Sequence, residues 1–175
     1  MKKYKLLENY TDEFIKIIDF YVFNCPVKFS NGNKVSQKAD LFEKRNISGN
    51  KLTKLLNKIK SKNDISIVFL NKNKVVNKNE KKDITVQEIE ENNKQIKNII
   101  KEIEKKNYIV LYENKDIGKC KSIFYYIRNS LAHGDFEIKG KRISGCSCNK
   151  SKINGEYKIE TSKLIEWIDL INNFK

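Results

Sequence analysis

The chain has 175 residues, enough for one domain with a hydrophobic core and too few for two ordinary domains. Glu8, Asp12 and Glu13 interrupt the stretch where an export signal needs an unbroken apolar run. No later segment is apolar over the length of a membrane span, so a cytoplasmic protein without membrane attachment is expected. With 36 basic against 22 acidic residues the net charge is +14, which points to a polyanionic partner, first of all a nucleic acid.

From Tyr4 to Phe23, Leu6, Leu7, Tyr10, Phe14, Ile17, Ile18 and Tyr21 recur at the three-and-four spacing of an amphipathic helix that Cys25-Pro26 ends. Ser30-Asn31-Gly32-Asn33 reads as a loop. Leu52, Leu55, Leu56 and Ile59 mark a second, shorter helix, and the apolar, β-branched run Ile65 to Leu70 reads as a strand. The Lys and Asn run from Asn71 to Lys82 is expected to be a solvated connection.

Thr85 and Glu88 have the form of a capping box. Behind them Val86, Ile89, Ile96, Ile99, Ile100 and Ile103 carry a third helix to about Asn107. A break over Tyr108 to Asn114 precedes a fourth helix, Ile117 to about His133, with Ile123, Phe124, Ile127 and Leu131 as its buried stripe. Phe136-Glu137-Ile138 and Glu156-Tyr157-Lys158-Ile159 alternate apolar and polar residues. They are expected to pair as a small hairpin around a Gly, Ser and Asn-rich loop. A last helix runs from Ser162 to Phe174, apolar through Leu164, Ile165, Trp167, Ile168 and Ile171. Together these elements predict one domain over residues 1–175, a mainly α helical bundle with a small β-hairpin near the C-terminus.

Cys25, Cys120, Cys146 and Cys148 are expected to be reduced thiols, as suits a chain without an export signal. In Cys146-Ser147-Cys148 one residue stands where structural zinc sites place two to four, so no metal and no cofactor are expected.

The single histidine, His133, narrows any acid-base chemistry, because imidazole is the side chain best suited to proton transfer near neutral pH. It ends the string Tyr125-Tyr126-Ile127-Arg128-Asn129-Ser130-Leu131-Ala132-His133-Gly134, where Gly134 is placed to terminate the helix. Helical spacing sets Asn129 and His133 about 40° apart on one face, with Tyr125 a turn earlier. Arg128 lies about 140° from His133 and about 7.5 Å along the axis, so an ideal helix does not bring the two together. Its guanidinium, one of three among Arg45, Arg128 and Arg142, is nevertheless the group best shaped to grip a phosphate.

The string Ile127-Arg128-Asn129-Ser130-Leu131-Ala132-His133-Gly134 resembles the R-x-x-x-x-H signature of HEPN domains, in which a polar residue, often Asn, follows the Arg and Gly often follows the His. The resemblance covers residues 117–174, where a short β segment and a closing helix also follow the motif as in abortive-infection and toxin-type relatives. It implies a HEPN-like bundle and a metal-independent endoribonuclease in a toxin-antitoxin or phage-defence role. In such an enzyme the ribose 2′-hydroxyl attacks the adjacent phosphorus and leaves 2′,3′-cyclic phosphate ends. His133 would transfer protons, Arg128 would stabilise the phosphorane-like transition state, and Asn129 would orient the histidine or a phosphate oxygen. Tyr125, Ser130 and Asp135 would support them, Asp135 by orienting His133 or simply by forming the turn after Gly134.

One histidine per chain cannot easily serve as both general base and general acid, so a homodimer with a composite site is expected, as the resemblance also implies. Lys119, Lys121, Lys139, Lys141 and Arg142 flank the motif and are candidates for an RNA phosphate track. An antitoxin or other regulatory protein is a further candidate partner. Asp135 stands where HEPN toxins modified by a nucleotidyltransferase carry a Tyr, which argues against that form of control. Two other readings stay open: a non-catalytic HEPN module that binds RNA or a partner protein, and a lysine-rich helical interaction protein that binds DNA and RNA alike.

Overall fold

The computed structural model describes residues 11–24, 27, 41–61, 64–71, 86–103, 107–149 and 151–174. The elements in chain order are α1 (Asp12–Ile18), continued by a π-helical turn (Asp19–Phe23), then α2 (Leu41–Lys44) and α3 (Asn50–Lys60). They are followed by β1 (Ile65–Leu70), α4 (Val86–Glu102), β2 (Asn107–Tyr112) and α5 (Gly118–His133). The chain closes with β3 (Phe136–Lys139), β4 (Arg142–Asn149), β5 (Lys152–Glu160) and α6 (Thr161–Asn172).

The strands form one five-stranded sheet in the order β1-β2-β5-β4-β3, with β1 and β2 parallel and the other neighbours antiparallel. A parallel pair needs a crossover, and α4 supplies it. Side chains of β2 divide between the two faces. Ile109 and Leu111 join the larger core under α1, α3, α5 and α6, whereas Val110 and Tyr112 join Leu70 and Ile96 beneath α4.

This architecture overturns the expected mainly α bundle with one small hairpin: the protein is an α/β structure built on a mixed sheet. The departure has two sources. The segment expected to be a break, Tyr108 to Asn114, contains most of interior strand β2, whose Asn107 is already buried and accepts the Glu160 backbone N–H at 2.9 Å. Helices cover both faces of this strand, so its residues run apolar without the alternation that marks a half-buried strand. The segment expected to be a hairpin loop is strand β4, which pairs with β3 on one side and β5 on the other, so Phe136–Lys139 does not pair with β5.

Other expectations correspond to observed elements: α3, β1, α4, α5 and α6 lie where periodicity puts them, and the described part of the first helix begins at Thr11, whose side chain caps it. Tyr4 to Tyr10, Cys25-Pro26, Ser30 to Asn33, most of the Lys and Asn run and the Thr85 cap lie outside the described residues. In the larger core, Phe124 of α5 is fully buried and its ring meets those of Tyr21, Phe42 and Trp167 at 5.4–6.2 Å, which ties three other segments to this helix. That helix carries the motif. No helix among the described residues is long and apolar enough to cross a membrane.

Candidate functional site

Helix α5 presents two faces, as its sequence dictates. Ile123, Phe124, Ile127 and Leu131 are buried in the core, and the stripe Tyr125, Asn129, His133 looks outward. Gly134 closes the helix in the left-handed conformation, φ 78°, and the Asp135 N–H reaches back to the Ser130 carbonyl at 2.9 Å. The turn is then bolted to the sheet, for the Cys146 N–H donates to the Asp135 carbonyl at 3.0 Å and the Ser130 hydroxyl donates to the same oxygen at 2.8 Å.

Ser130, expected as a supporting group of the site, is completely buried and acts on the backbone. Its Oγ also lies 3.1 Å from the Tyr157 hydroxyl. Burial holds the Tyr157 phenol well above its ordinary pKa, with the Ser130 hydrogen bond partly offsetting, so it remains a protonated hydrogen-bonding group. The pair meets over Gly145 of β4, where an added Cβ would sit 2.6 Å from the Tyr157 Oη. Only glycine lets the helix end lie this close to the sheet.

Against the outward stripe of α5 the ends of β4 and β5 leave a cleft of about 480 Å³. Tyr125, Tyr126, Asn129, His133 and Asp135 line it from the helix side, and Ser147, Cys148 and Asn154 from the sheet. The two tyrosines meet edge to face with ring centroids 5.4 Å apart, and burial, followed by the neighbouring Tyr125, pushes the Tyr126 phenol up to about 12. His133 and Asp135 are exposed at the rim.

Arg128 is half-buried and is not part of the cleft lining, in keeping with its place around the helix. It reaches the site through its neighbour: one guanidinium nitrogen donates to the Asn129 side-chain oxygen at 3.0 Å. With that oxygen occupied, the Asn129 amide NH₂ is the group left to donate into the cleft. The Arg128 Nε is buried and has no hydrogen-bond partner among the described residues, a donor held out of water without compensation.

The candidate phosphate track does not assemble around the cleft. Lys119 and Lys121 lie in the first turn of α5, about 18–21 Å along the helix from His133, with their ammonium groups over the rings of Phe69 and Phe42. Lys139 pairs with Glu137 at 3.1 Å and Arg142 with Glu160 at 3.7 Å. With exposed Lys141 they form the tip of the β3–β4 hairpin, about 17 Å along β4 from Ser147.

Cys146 and Cys148 are joined in a disulfide within β4, which corrects the expectation of reduced thiols in a loop. Alternation along a strand sends side chains two apart to the same face, so their proximity follows from the strand that sequence reading missed. Tyr126, Ser147, Cys148 and Asn154 are the cleft residues not foreseen. Tyr126 adjoins the stripe in sequence, but the other three come from strands whose pairing no local pattern announces. Among the described residues no group of three or more His, Cys, Asp or Glu side chains is arranged to hold a metal ion. No protein-family model, no curated protein and no solved structure matched the chain.

Proposed function

We propose that this chain is a metal-independent endoribonuclease whose reaction centre is the C-terminal end of α5. One observation carries the reading: the helix end holds the only histidine at the rim of a cleft, Asn129 in its wall and Arg128 bonded to that Asn129. The charge of +14 and the resemblance of Ile127–Gly134 to the HEPN motif support it.

In the proposed reaction the ribose 2′-oxygen forms a bond to the adjacent phosphorus while the bond from phosphorus to the 5′-oxygen breaks. The products are a 2′,3′-cyclic phosphate and a 5′-hydroxyl. His133 accepts the 2′-hydroxyl proton, and the Asn129 amide donates to a non-bridging oxygen. The guanidinium of Arg128 holds Asn129 in place and polarises its amide toward that oxygen. The leaving 5′-oxygen needs a proton from a second acid. A second copy supplies it through its own His133 if two helix ends face each other across a two-fold axis, for which the exposure of Ala132, His133, Gly134 and Asp135 leaves room. Such an activity suits a toxin or phage-defence role, held in check by a partner protein.

The absence of Arg128, and among the described residues of any lysine, from the cleft lining favours a second reading, a module that binds RNA without cutting it. Cleavage of mixed RNA in EDTA by wild type, His133→Ala and Arg128→Ala, with end-group analysis, separates the two. The ribonuclease reading expects cyclic-phosphate ends from the wild type and at least a hundredfold loss in each variant. Intact RNA bound equally by all three proteins refutes it.

A further inference from the structure

We propose that the cleft beside His133 is a subsite for one unpaired nucleobase, stacked on Tyr125 and contacted along its edge by Asn154 and Ser147. The inference rests on the ribonuclease reading for its biological meaning and adds the substrate class to it: single-stranded RNA, recognised through a base next to the scissile phosphate.

The chemistry of the lining selects the ligand. Among the described residues it combines two tyrosines with two asparagine amides and a serine hydroxyl, holds no lysine or arginine, and includes the Asp135 carboxylate. A phosphate finds no lysine or arginine among those groups and meets the carboxylate of Asp135. An unpaired base is flat, uncharged and edged with donors and acceptors, and it matches an aromatic face beside amides. The volume of about 480 Å³ accommodates a base together with its ribose.

The geometry places the base. Tyr125 precedes His133 by eight residues, about 12 Å along the helix, so a base on Tyr125 belongs to a nucleotide neighbouring the phosphate held at His133. On the opposite wall the register breaks: Ser147 pairs with Gly155 and Cys148 with Ile153, which leaves Asn154 without a cross-strand partner. Such bulges re-aim side chains beside active sites, and here the displaced residue lines the cleft. The Cys146–Cys148 disulfide spans the same irregularity from β4 and fixes that wall.

The test uses the full chain and A, C, G and U homopolymers with a 2′-O-methyl group on every ribose, which blocks cleavage and leaves the bases intact, with binding read by fluorescence anisotropy. Wild type is expected to rank the four bases unequally. Tyr125→Leu should lose about tenfold in affinity and Tyr125→Phe, which keeps the stacking face, less than twofold. Asn154→Ala should flatten the ranking without changing the thermal melt. An abasic nucleotide at the bound position should weaken wild type and leave Tyr125→Leu unchanged. Binding of all four polymers by Tyr125→Leu and Asn154→Ala exactly as by wild type overturns the proposal, as does the absence of binding to any of them. Base-ranked binding by a protein that never cuts RNA upholds the subsite and removes the catalytic reading. Cutting without base ranking does the reverse.

Discussion

Replacing Gly145 by alanine probes the joint that sets the site. The added Cβ would lie 2.6 Å from the Oη and 2.7 Å from the Cζ of Tyr157, and closer still to the Ser130 Oγ. Neither neighbour is a free chain end: Ser130 is buried in α5 and Tyr157 stands directly across from Gly145 in the β4–β5 ladder. Overpacking of this kind costs about 1–3 kcal/mol, and parting the Ser130–Tyr157 hydrogen bond adds about 1 kcal/mol. A loss of about 3 kcal/mol lowers the melting temperature of a chain this size by about 6–12 °C. Urea unfolding followed by circular dichroism measures it, and Ser130→Ala in the same background removes the nearest clash. The double variant should therefore be more stable than the sum of the single effects by at least about 1 kcal/mol. Displacement of Ser130 also moves the Asp135 turn, so any RNA-cutting activity should fall further than stability does. A Gly145→Ala protein within about 0.5 kcal/mol of wild type, or strict additivity in the double variant, refutes the reasoning.

Phe124→Ala empties the point where four aromatic segments meet and should cost about 3–5 kcal/mol, with loss of the near-ultraviolet dichroism of Trp167. Alkaline pH should destabilise the fold. Burial raises Tyr108 and Tyr126 to about 12, the former also through Glu156, whereas unfolded tyrosines ionise near 10. The unfolded chain then binds fewer protons, so stability is complete below about pH 10 and declines as pH rises toward 12. Equilibrium unfolding at a series of alkaline pH values checks the sign, and Tyr126→Phe should flatten the slope. Cys120 is buried with its thiol pushed up to about 12, so peptide mapping after alkylation of the native protein should find it unmodified. Reducing the Cys146–Cys148 bond, which closes a very short loop, should cost only about 1.5 kcal/mol in urea unfolding.

The motif helix was legible because its information is local. The stripe Ile123, Phe124, Ile127, Leu131 and the opposing Tyr125, Asn129, His133 follow from the helical period, and both faces stand as read. Even the offset of Arg128 was foreseeable, although not that it would act through Asn129. The basic residues flanking the motif lie farther from the cleft than their nearness in sequence suggests. Fourteen residues of helix separate Lys119 from His133, and a strand separates Arg142 from Ser147.

What the sequence determined by itself was the charge, most of the helices, strand β1 and the identity of one candidate catalytic face, all of them properties of composition or of periods within a single segment. The tertiary structure decided the rest: that Asn107–Tyr112 is an interior strand between β1 and β5, that Arg142–Asn149 is a strand rather than a loop, and that Ser147, Cys148 and Asn154 complete a cleft opposite His133. The physical reason lies in strand pairing. A strand is stabilised by partners distant in the chain, and one buried on both faces carries no periodic mark of its own.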